Sequence, residues 1–223
     1  MDRPSGSLAF NLTDKLCRVF TTSLTLIIMK NQWVYGLLLL AVSMTSCDKN
    51  ETAKPAENPI TSLLSEQSQA LKSVKFRENG FGEFGVVFSS SLAGKLTQVG
   101  SKLPEAGIYT VTVWDFDSGQ ALLQKTVEQE VPDELTLIDT DIMPLTINKK
   151  YLISINTKSG QRSHGSYSIV FKASGGDVLP ATKGTITMHG SRRGSGSKVA
   201  FPTSGSNQFS TIYGVPEFTF IPD

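Results

Sequence analysis

The sequence predicts an all-β protein, an antiparallel β-sandwich of the jelly-roll or immunoglobulin-like kind, preceded by a targeting segment. From Leu71 onward, apolar and polar residues alternate in short runs, which is the period of a half-buried strand. Gly, Pro and Asn residues separate these runs at intervals of about 8–12 residues, as in sandwiches and barrels. No long stretch of this region carries a convincing helical period.

The strands follow one another along the chain, and the clearest is Ile108–Asp115. Both of its faces are largely apolar, so we expect it at the centre of a sheet. The turn Asp117-Ser118-Gly119 favours a tight hairpin to the next strand. The predicted strands are Ser73–Phe76, Glu83–Ser89, Lys95–Leu103, Ile108–Asp115, Ala121–Val127, Glu134–Ile138, Tyr151–Asn156, Tyr167–Lys172, Thr185–Met188, Phe209–Tyr213 and Val215–Ile221.

The last third of the chain is predicted to be richer in loops. Ala173–Gly184, His189–Ser197 and Ser204–Asn207 are Gly/Ser-rich and read as connections between short strands. Pro216 lacks the amide proton that a ladder hydrogen bond needs. The final strand is therefore predicted to start after Pro216 or to lie at the edge of a sheet.

The segment before the strands is predicted to be an export signal that ends at Cys47. Met29–Gln32 supplies a short positive region and Trp33–Val42 an apolar run, as in secretory signals. Ser43–Cys47 resembles the lipobox of bacterial lipoproteins, in which the signal peptide is cut before a cysteine that carries acyl chains. The resemblance implies lipidation of Cys47. The alternative is a membrane-spanning helix, which needs about 20 uninterrupted apolar residues, and Lys30 interrupts this stretch.

This interpretation divides the chain into four segments. The region before Met29 is predicted to be an over-extended N-terminus, with an unusually long positive region as the alternative. The linker prediction depends on prolines and small polar residues that bury too little apolar area to order a backbone. The segments are an over-extended N-terminus (1–28), a lipoprotein signal peptide (29–46), the lipidated cysteine with a flexible linker (47–70) and the sandwich domain (71–223).

Charge and cysteine content exclude several function classes. Residues 1–46 hold 4 of the 21 Lys and Arg and 2 of the 20 Asp and Glu, which leaves 17 against 18. Such a balance gives no field that attracts nucleic acid. Of the two cysteines, Cys17 precedes the cleavage site and Cys47 is the lipidation site, so the domain has neither a disulfide nor a thiol nucleophile.

A series of weak motifs resembles a known family when the motifs are taken in order. They are Gly85–Phe88, Gly94–Thr97, Tyr109–Asp115, Gly119–Leu123 and Lys149–Ser154. The series is similar to the DUF4082 family of β-sandwich modules over about Phe84–Phe220. Such modules occur in secreted and surface proteins, often beside carbohydrate-active or adhesive domains, and the family's function is not known. The resemblance implies the fold and favours glycan or protein binding, and it carries no catalytic residues. A lipobox before one such module is typical of Bacteroidota, which implies the outer membrane, facing the periplasm or the cell surface.

Trp114-Asp115-Phe116-Asp117 is the sharpest local feature and a candidate ligand site. In one interpretation Trp114 stacks on a sugar ring, while Asp115 or Asp117 accepts hydrogen bonds from its hydroxyls. In the other, Trp114 is buried between the sheets and Asp117 makes an Asx-type turn with Gly119. A tryptophan on an alternating strand is more often buried, which favours the second.

Asp139 and Asp141, with Asp115 or Asp117, are candidate calcium ligands. Calcium takes about six to eight oxygen ligands, and this spacing fixes few of them, so solvated loop carboxylates are the favoured interpretation. No cofactor is predicted, although a structural calcium ion stays open.

Arg192 and Arg193, in a predicted Gly/Ser-rich loop, are candidates for contact with an acidic glycan, a phosphate headgroup or a protein. The alternative is a solubilising loop tip. The two histidines, His164 and His189, are predicted to be exposed in loops, because no spacing typical of zinc sites surrounds them.

We therefore expect a non-enzymatic lipoprotein of the cell envelope that contacts the membrane through its lipid anchor and binds a glycan or a protein. One alternative is a structural accessory subunit of an envelope or polysaccharide-uptake complex. The other is a glycoside hydrolase, which needs two carboxylates about 5–10 Å apart. Its candidate acids are Asp115, Asp117, Asp139 and Asp141. Phosphate-binding loops and basic–aromatic patterns are absent from the sequence, which argues against nucleotide or nucleic-acid binding.

Overall fold

Thirteen strands and one short helix make up the part of the chain that the computed structural model describes, which is residues 54–77, 81–158 and 165–223. The predicted signal peptide and Cys47 lie outside the described residues. The elements are α1 (Pro59–Glu66), β1 (Leu71–Arg77), β2 (Phe81–Ser90), β3 (Gly94–Ser101), β4 (Gly107–Asp115), β5 (Ala121–Gln129), β6 (Thr136–Leu145), β7 (Tyr151–Asn156), β8 (Ser166–Lys172), β9 (Ala181–Lys183), β10 (Ile186–Ser195), β11 (Ser204–Gln208), β12 (Thr211–Tyr213) and β13 (Pro216–Pro222).

The strands form one large sheet and two small ones, and the paired strands run antiparallel. The large sheet has the order β11-β10-β2-β7-β4-β5, with β9 on the end of β10. The small sheets are β1-β8-β12 and β13-β3-β6. The predicted all-β sandwich is confirmed. β4 lies between β7 and β5, as its two apolar faces predicted, and β5 follows it through the predicted hairpin at Gly119.

The core lies between the inner face of the large sheet and the two small sheets. Phe84 and Phe88 of β2 bridge the layers, since the Phe84 ring is 4.0 Å from that of Tyr167 in β8 and the Phe88 ring is 4.4 Å from that of Phe218 in β13. These four rings are fully or almost fully buried. Large aromatic side chains at such spacing supply much of the buried apolar area of a domain without disulfides.

Helix α1 corrects the predicted linker over 47–70. Ile60 and Leu63 of α1 are fully buried in the core, at the i, i+3 spacing of one helix face. Pro59 stands at the start of the helix, where its missing N–H costs nothing. The prediction failed over residues 54–70 because three large apolar residues, Ile60, Leu63 and Leu64, look insufficient alone among prolines and small polar residues, whereas here the sandwich supplies their partners.

A remote carboxylate caps α1 in place of the usual neighbouring side chain. The fully buried Glu217 of β13 accepts hydrogen bonds from the amides of Ile60 at 3.3 Å and Thr61 at 2.5 Å. Asn58, at the cap position, instead donates its side-chain amide to the backbone oxygen of Phe218 at 3.1 Å. Burial raises the pKa of Glu217, and the amides of the helix N-terminus oppose that rise.

The C-terminal third is more regular than the sequence predicted. β10 runs on through the predicted loop His189–Ser197 as far as Ser195, and the predicted loops Ala173–Gly184 and Ser204–Asn207 contain β9 and most of β11. β6 also extends to Leu145 and includes Pro144. Pro216 is the first residue of β13, an edge strand of its small sheet, as predicted. In the described residues no helix is long and apolar enough to cross a membrane.

Candidate functional site

The outer face of the large sheet, opposite the core, carries the candidate site. Because side chains alternate along a strand, the neighbours of the core residues point to this face. Strand pairing sets them in rows, and one row holds Gly190, Val87, Leu152 and Trp114. A second holds Arg192, Gly85, Ser154 and Thr112, and a third holds Gly194, Glu83, Asn156 and Thr110.

A chain segment that we call the strap, residues 196–203 between β10 and β11, lies across this face. The side-chain amide of Asn156 donates to the backbone oxygen of Lys198 at 3.2 Å, and the Ala200 amide donates to the carboxylate of Glu83. Val199 and Phe201 pack on a small apolar cluster formed by Val87, Trp114 and Leu152. The strap is therefore fixed by both polar and apolar contacts.

Trp114 lies beneath the strap. It is 6% exposed, and its indole N–H donates to the Ser154 hydroxyl at 2.7 Å. Trp114 is therefore buried. It lies on the outer face of the large sheet, whereas the favoured interpretation had placed it between the sheets. Its ring offers no open stacking surface for a sugar.

Two partly exposed aromatic rings lie above Trp114. The Phe201 ring meets Trp114 edge-on at 5.9 Å and Phe116 at 6.1 Å between centroids. Gly119, with φ of 68°, lies below Phe201, where an added Cβ would sit 3.6 Å from that ring. That separation is an ordinary van der Waals contact, so glycine is favoured here by the positive φ of the turn.

Arg192 completes this group, whereas Arg193 does not belong to it. The Arg192 guanidinium carbon is 4.8 Å from the Phe116 centroid and 5.9 Å from that of Phe201, and its Nε–H donates to Asn207 at 2.8 Å. Arg193 points to the other side of β10, 5.5 Å from the Tyr213 ring. Alternation along a strand separates the two arginines, which the sequence had placed together in a loop.

Asp115 lies on the other side of β4 from Trp114, because it pairs in register with Tyr151 of the main core. Its carboxylate is 2.6 Å from Lys149 Nζ and accepts the amides of Asp117 and Ser118 at 3.1 and 3.0 Å. The hydrogen bond from Lys149, with those from Ser118, lowers the pKa of Asp115 from 3.8 to about 2. Asp115, and not Asp117 as predicted, therefore makes the Asx turn, and Asp117 is exposed to solvent.

Glu83 is a buried carboxylate that the sequence did not single out. It is 2% exposed and accepts hydrogen bonds from the Ser154 hydroxyl and, at 2.8 Å, from the side-chain amide of Asn156. Burial raises the pKa of Glu83 from 4.5 to about 7, although the hydrogen bonds that it accepts oppose the rise. Through Ser154, a chain of hydrogen bonds joins Glu83 to the indole of Trp114.

Asp139 and Asp141, the candidate metal ligands, have no further candidate ligands beside them among the described residues. Asp139 lies in β6 and accepts a hydrogen bond from the side chain of Gln98 at 2.9 Å. Asp141, almost fully exposed, lies 3.6 Å from Lys125 Nζ. Within the described residues, no group of three or more His, Cys, Asp or Glu side chains is placed to hold a metal ion. The structure thus adds no third ligand to the predicted pair.

His189 lies at an irregularity of β10 and not in a loop. Its Nε2 is 2.8 Å from the Ser89 hydroxyl, and partial burial lowers its pKa, with the positive charge of Lys150 as a second cause. His164 lies outside the described residues.

Comparison with known proteins does not add a family to these observations. No protein-family model matches the chain, and no curated protein shows significant similarity to it. The resemblance to DUF4082 modules therefore stays a prediction from the order of the motifs.

The site as built differs from the site that the sequence predicted. Arg192 belongs to it, together with Phe116 and Phe201, which sequence reasoning did not single out, whereas Asp115 and Lys149 lie on the side of Tyr151. Phe116 lies inside the motif around Trp114, in the turn that follows β4. Phe201 gave no signal, since its position depends on the path of the strap.

Proposed function

We propose that this protein is a non-catalytic lipoprotein of the bacterial cell envelope that binds a saccharide at the aromatic rim, which we define as Phe116, Arg192 and Phe201. The observation that carries the proposal is the grouping of these three partly exposed side chains above the buried Trp114. They come from the turn after β4, from β10 and from the strap.

The rim has the chemical groups that a sugar needs. Sugar rings present C–H faces that pack on aromatic carbon, and Phe116 and Phe201 supply such carbon. Hydroxyl and carboxylate oxygens accept hydrogen bonds from a guanidinium group, which Arg192 supplies. The rings and Asn207 already hold Arg192 in place, so little side-chain entropy is lost when it binds a ligand.

The positions of the acidic residues support binding rather than hydrolysis. A glycoside hydrolase needs two carboxylates on either side of a cleft. Asp115 is paired with Lys149, Asp139 is bonded to Gln98, and Asp141 lies beside Lys125. Lipid anchoring through Cys47 and an outer-membrane location are part of the proposal, and they depend on the lipobox.

Replacing Phe116 by Ala is expected to weaken saccharide binding about tenfold, because it removes one apolar surface of the rim. The purified lipoprotein, screened first on a glycan array, would then be titrated calorimetrically with the best ligand. Val131→Ala is the matched control, since Val131 is also an exposed apolar residue, 50% accessible, and lies in the β5–β6 connection. Equal affinity of the two variants would contradict the assignment of the rim.

Absence of binding to any glycan would contradict the saccharide proposal. A protein that co-purifies in stoichiometric amount from detergent-solubilised membranes would then favour the accessory-subunit alternative.

A further inference from the structure

We propose that one end of the sandwich is a membrane-contact surface that lies against anionic lipid headgroups. We call it the entry end, and it consists of Lys54, Lys95, Ile147, Lys150 and Ile221. This inference rests on the proposed lipidation of Cys47 and adds an orientation of the domain on the membrane. The rim adjoins this end, because the Phe116 amide donates to the backbone oxygen of Lys150 at 3.3 Å.

The described chain enters the fold at this end. Lys54 Nζ donates to the backbone oxygen of Asp223, and the Asp223 amide donates to the backbone oxygen of Ala93 at 3.0 Å. Three residues further on, Glu57 exchanges two backbone hydrogen bonds with Phe220, at 2.8 and 2.9 Å. These bonds, together with the burial of α1, hold the entry point in one place on the sandwich.

Strand ends bring the other members of the surface to the same place. Ile221 of β13 pairs with Lys95 of β3, and Lys95 pairs with Pro144 near the end of β6. Ile147 follows β6 and forms a bridge with Ser90, the last residue of β2. Lys150 comes just before β7. The surface is therefore built from adjoining strand ends and is held by the sheets.

Exposed isoleucines beside lysines give this end an interfacial composition. Ile147 is 49% and Ile221 is 38% exposed, while Lys54, Lys95 and Lys150 are exposed as well. Asp223 is one acidic residue at this end, with its carboxylate 3.9 Å from Lys95 Nζ, and Asp115 is another, paired with Lys149. Lysines near an anionic bilayer are attracted to its headgroups, and apolar side chains beside them favour the headgroup boundary.

The short connection between Cys47 and Lys54 indicates that the entry end meets a membrane. Six residues, 48–53, separate Cys47 from Lys54. Even a fully extended chain of that length reaches at most about 25 Å. A strand of ten residues such as β2 spans roughly 33 Å. The entry end must therefore stay near the lipid, whereas the opposite end, which carries Val131, stands about one strand length farther away.

A fluorescence-quenching experiment on the full lipidated protein tests the proposal. Ile147→Cys and Val131→Cys are matched sites, both exposed and apolar, at opposite ends of the sandwich. Each variant would carry a fluorophore and be reconstituted in vesicles of phosphatidylethanolamine and phosphatidylglycerol with nitroxide-labelled headgroups. Quenching at position 147 is expected to be at least twofold stronger than at position 131. Equal quenching, or stronger quenching at position 131, would overturn the proposal.

Two further measurements separate the contribution of headgroup charge from that of the lipid anchor. Changing Lys54, Lys95 and Lys150 together to Gln is expected to reduce quenching at position 147 at least twofold, and unchanged quenching would refute the role of headgroup charge. Co-sedimentation of the protein with vesicles is expected to be lost in Cys47→Ser. Sedimentation that is absent even with Cys47 intact would overturn lipid anchoring and this surface together, while saccharide titration of the rim would be unaffected.

Discussion

Replacing Leu63 by Ala is expected to lower the free energy of unfolding by about 2–5 kcal/mol. Leu63 is fully buried in the core although it lies in α1, ahead of the first strand. The deletion removes apolar contacts and leaves a cavity between α1 and the sandwich, and both effects destabilise the folded state. Urea unfolding followed by tryptophan fluorescence measures the change.

Ile142→Ala is the control for this experiment, because Ile142 is 66% exposed in β6. Its truncation is expected to change stability by less than about 0.5 kcal/mol. If residues 54–70 behaved as the linker that composition predicts, Leu63→Ala would resemble Ile142→Ala. That outcome would contradict the role of α1 as part of the core.

Replacing Glu83 by Gln is expected to flatten the dependence of stability on pH. The folded-state pKa of Glu83 is raised from 4.5 to about 7, so its stabilising contribution is complete below pH 4.5 and is lost as the pH rises through 7. The difference of about 2.5 units corresponds to about 3 kcal/mol, most of which is lost between pH 5 and pH 8. The physical cause is the cost of charging a carboxylate that neutral groups surround.

Thermal unfolding of wild type and Glu83→Gln, recorded at half-unit steps between pH 5 and pH 8, tests this expectation. The variant is expected to be the more stable protein at pH 8 and to lose less stability as the pH rises. Glu217, whose pKa burial also raises, leaves some dependence in both proteins. Glu134→Gln, at an exposed position in the β5–β6 connection, serves as the control. Parallel curves for wild type and Glu83→Gln would rule out a raised pKa for this residue.

Sequence patterns predicted the sheets well because strand formation depends on local alternation. The tight turn at Gly119 and the two apolar faces of β4 are both visible within a few residues of sequence. α1 was missed because its cap, Glu217, lies more than 150 residues away along the chain and because the strands on which it packs, β9 and β13, are also distant in sequence. β10 was predicted to be shorter than it is, because Gly190 and Gly194 gave this strand the composition of a loop. In the structure both glycines lie close to neighbouring residues.

The candidate site was harder to predict, since it depends on which segments meet. Arg192 was named as a candidate ligand contact, but its neighbours Phe116 and Phe201 come from separate parts of the chain. Trp114 attracted attention as the largest residue of its strand, yet it supports the site from below. Glu83 was not singled out as a site residue, although it stands in a strand between Gly82 and Gly85. Small neighbours of this kind were the available indication that its side chain is buried.

The two backbone hydrogen bonds between Glu57 and Phe220 have a consequence for solubility. β13 is an edge strand, and an uncovered edge presents unpaired amides and carbonyls to which other chains can add. Glu57 occupies the middle of that edge and Asn58 bonds to it at Phe218. A chain that begins at residue 71 lacks this cover and is expected to self-associate through β13. The segment ahead of the first strand thus also protects the sandwich from edge-to-edge aggregation.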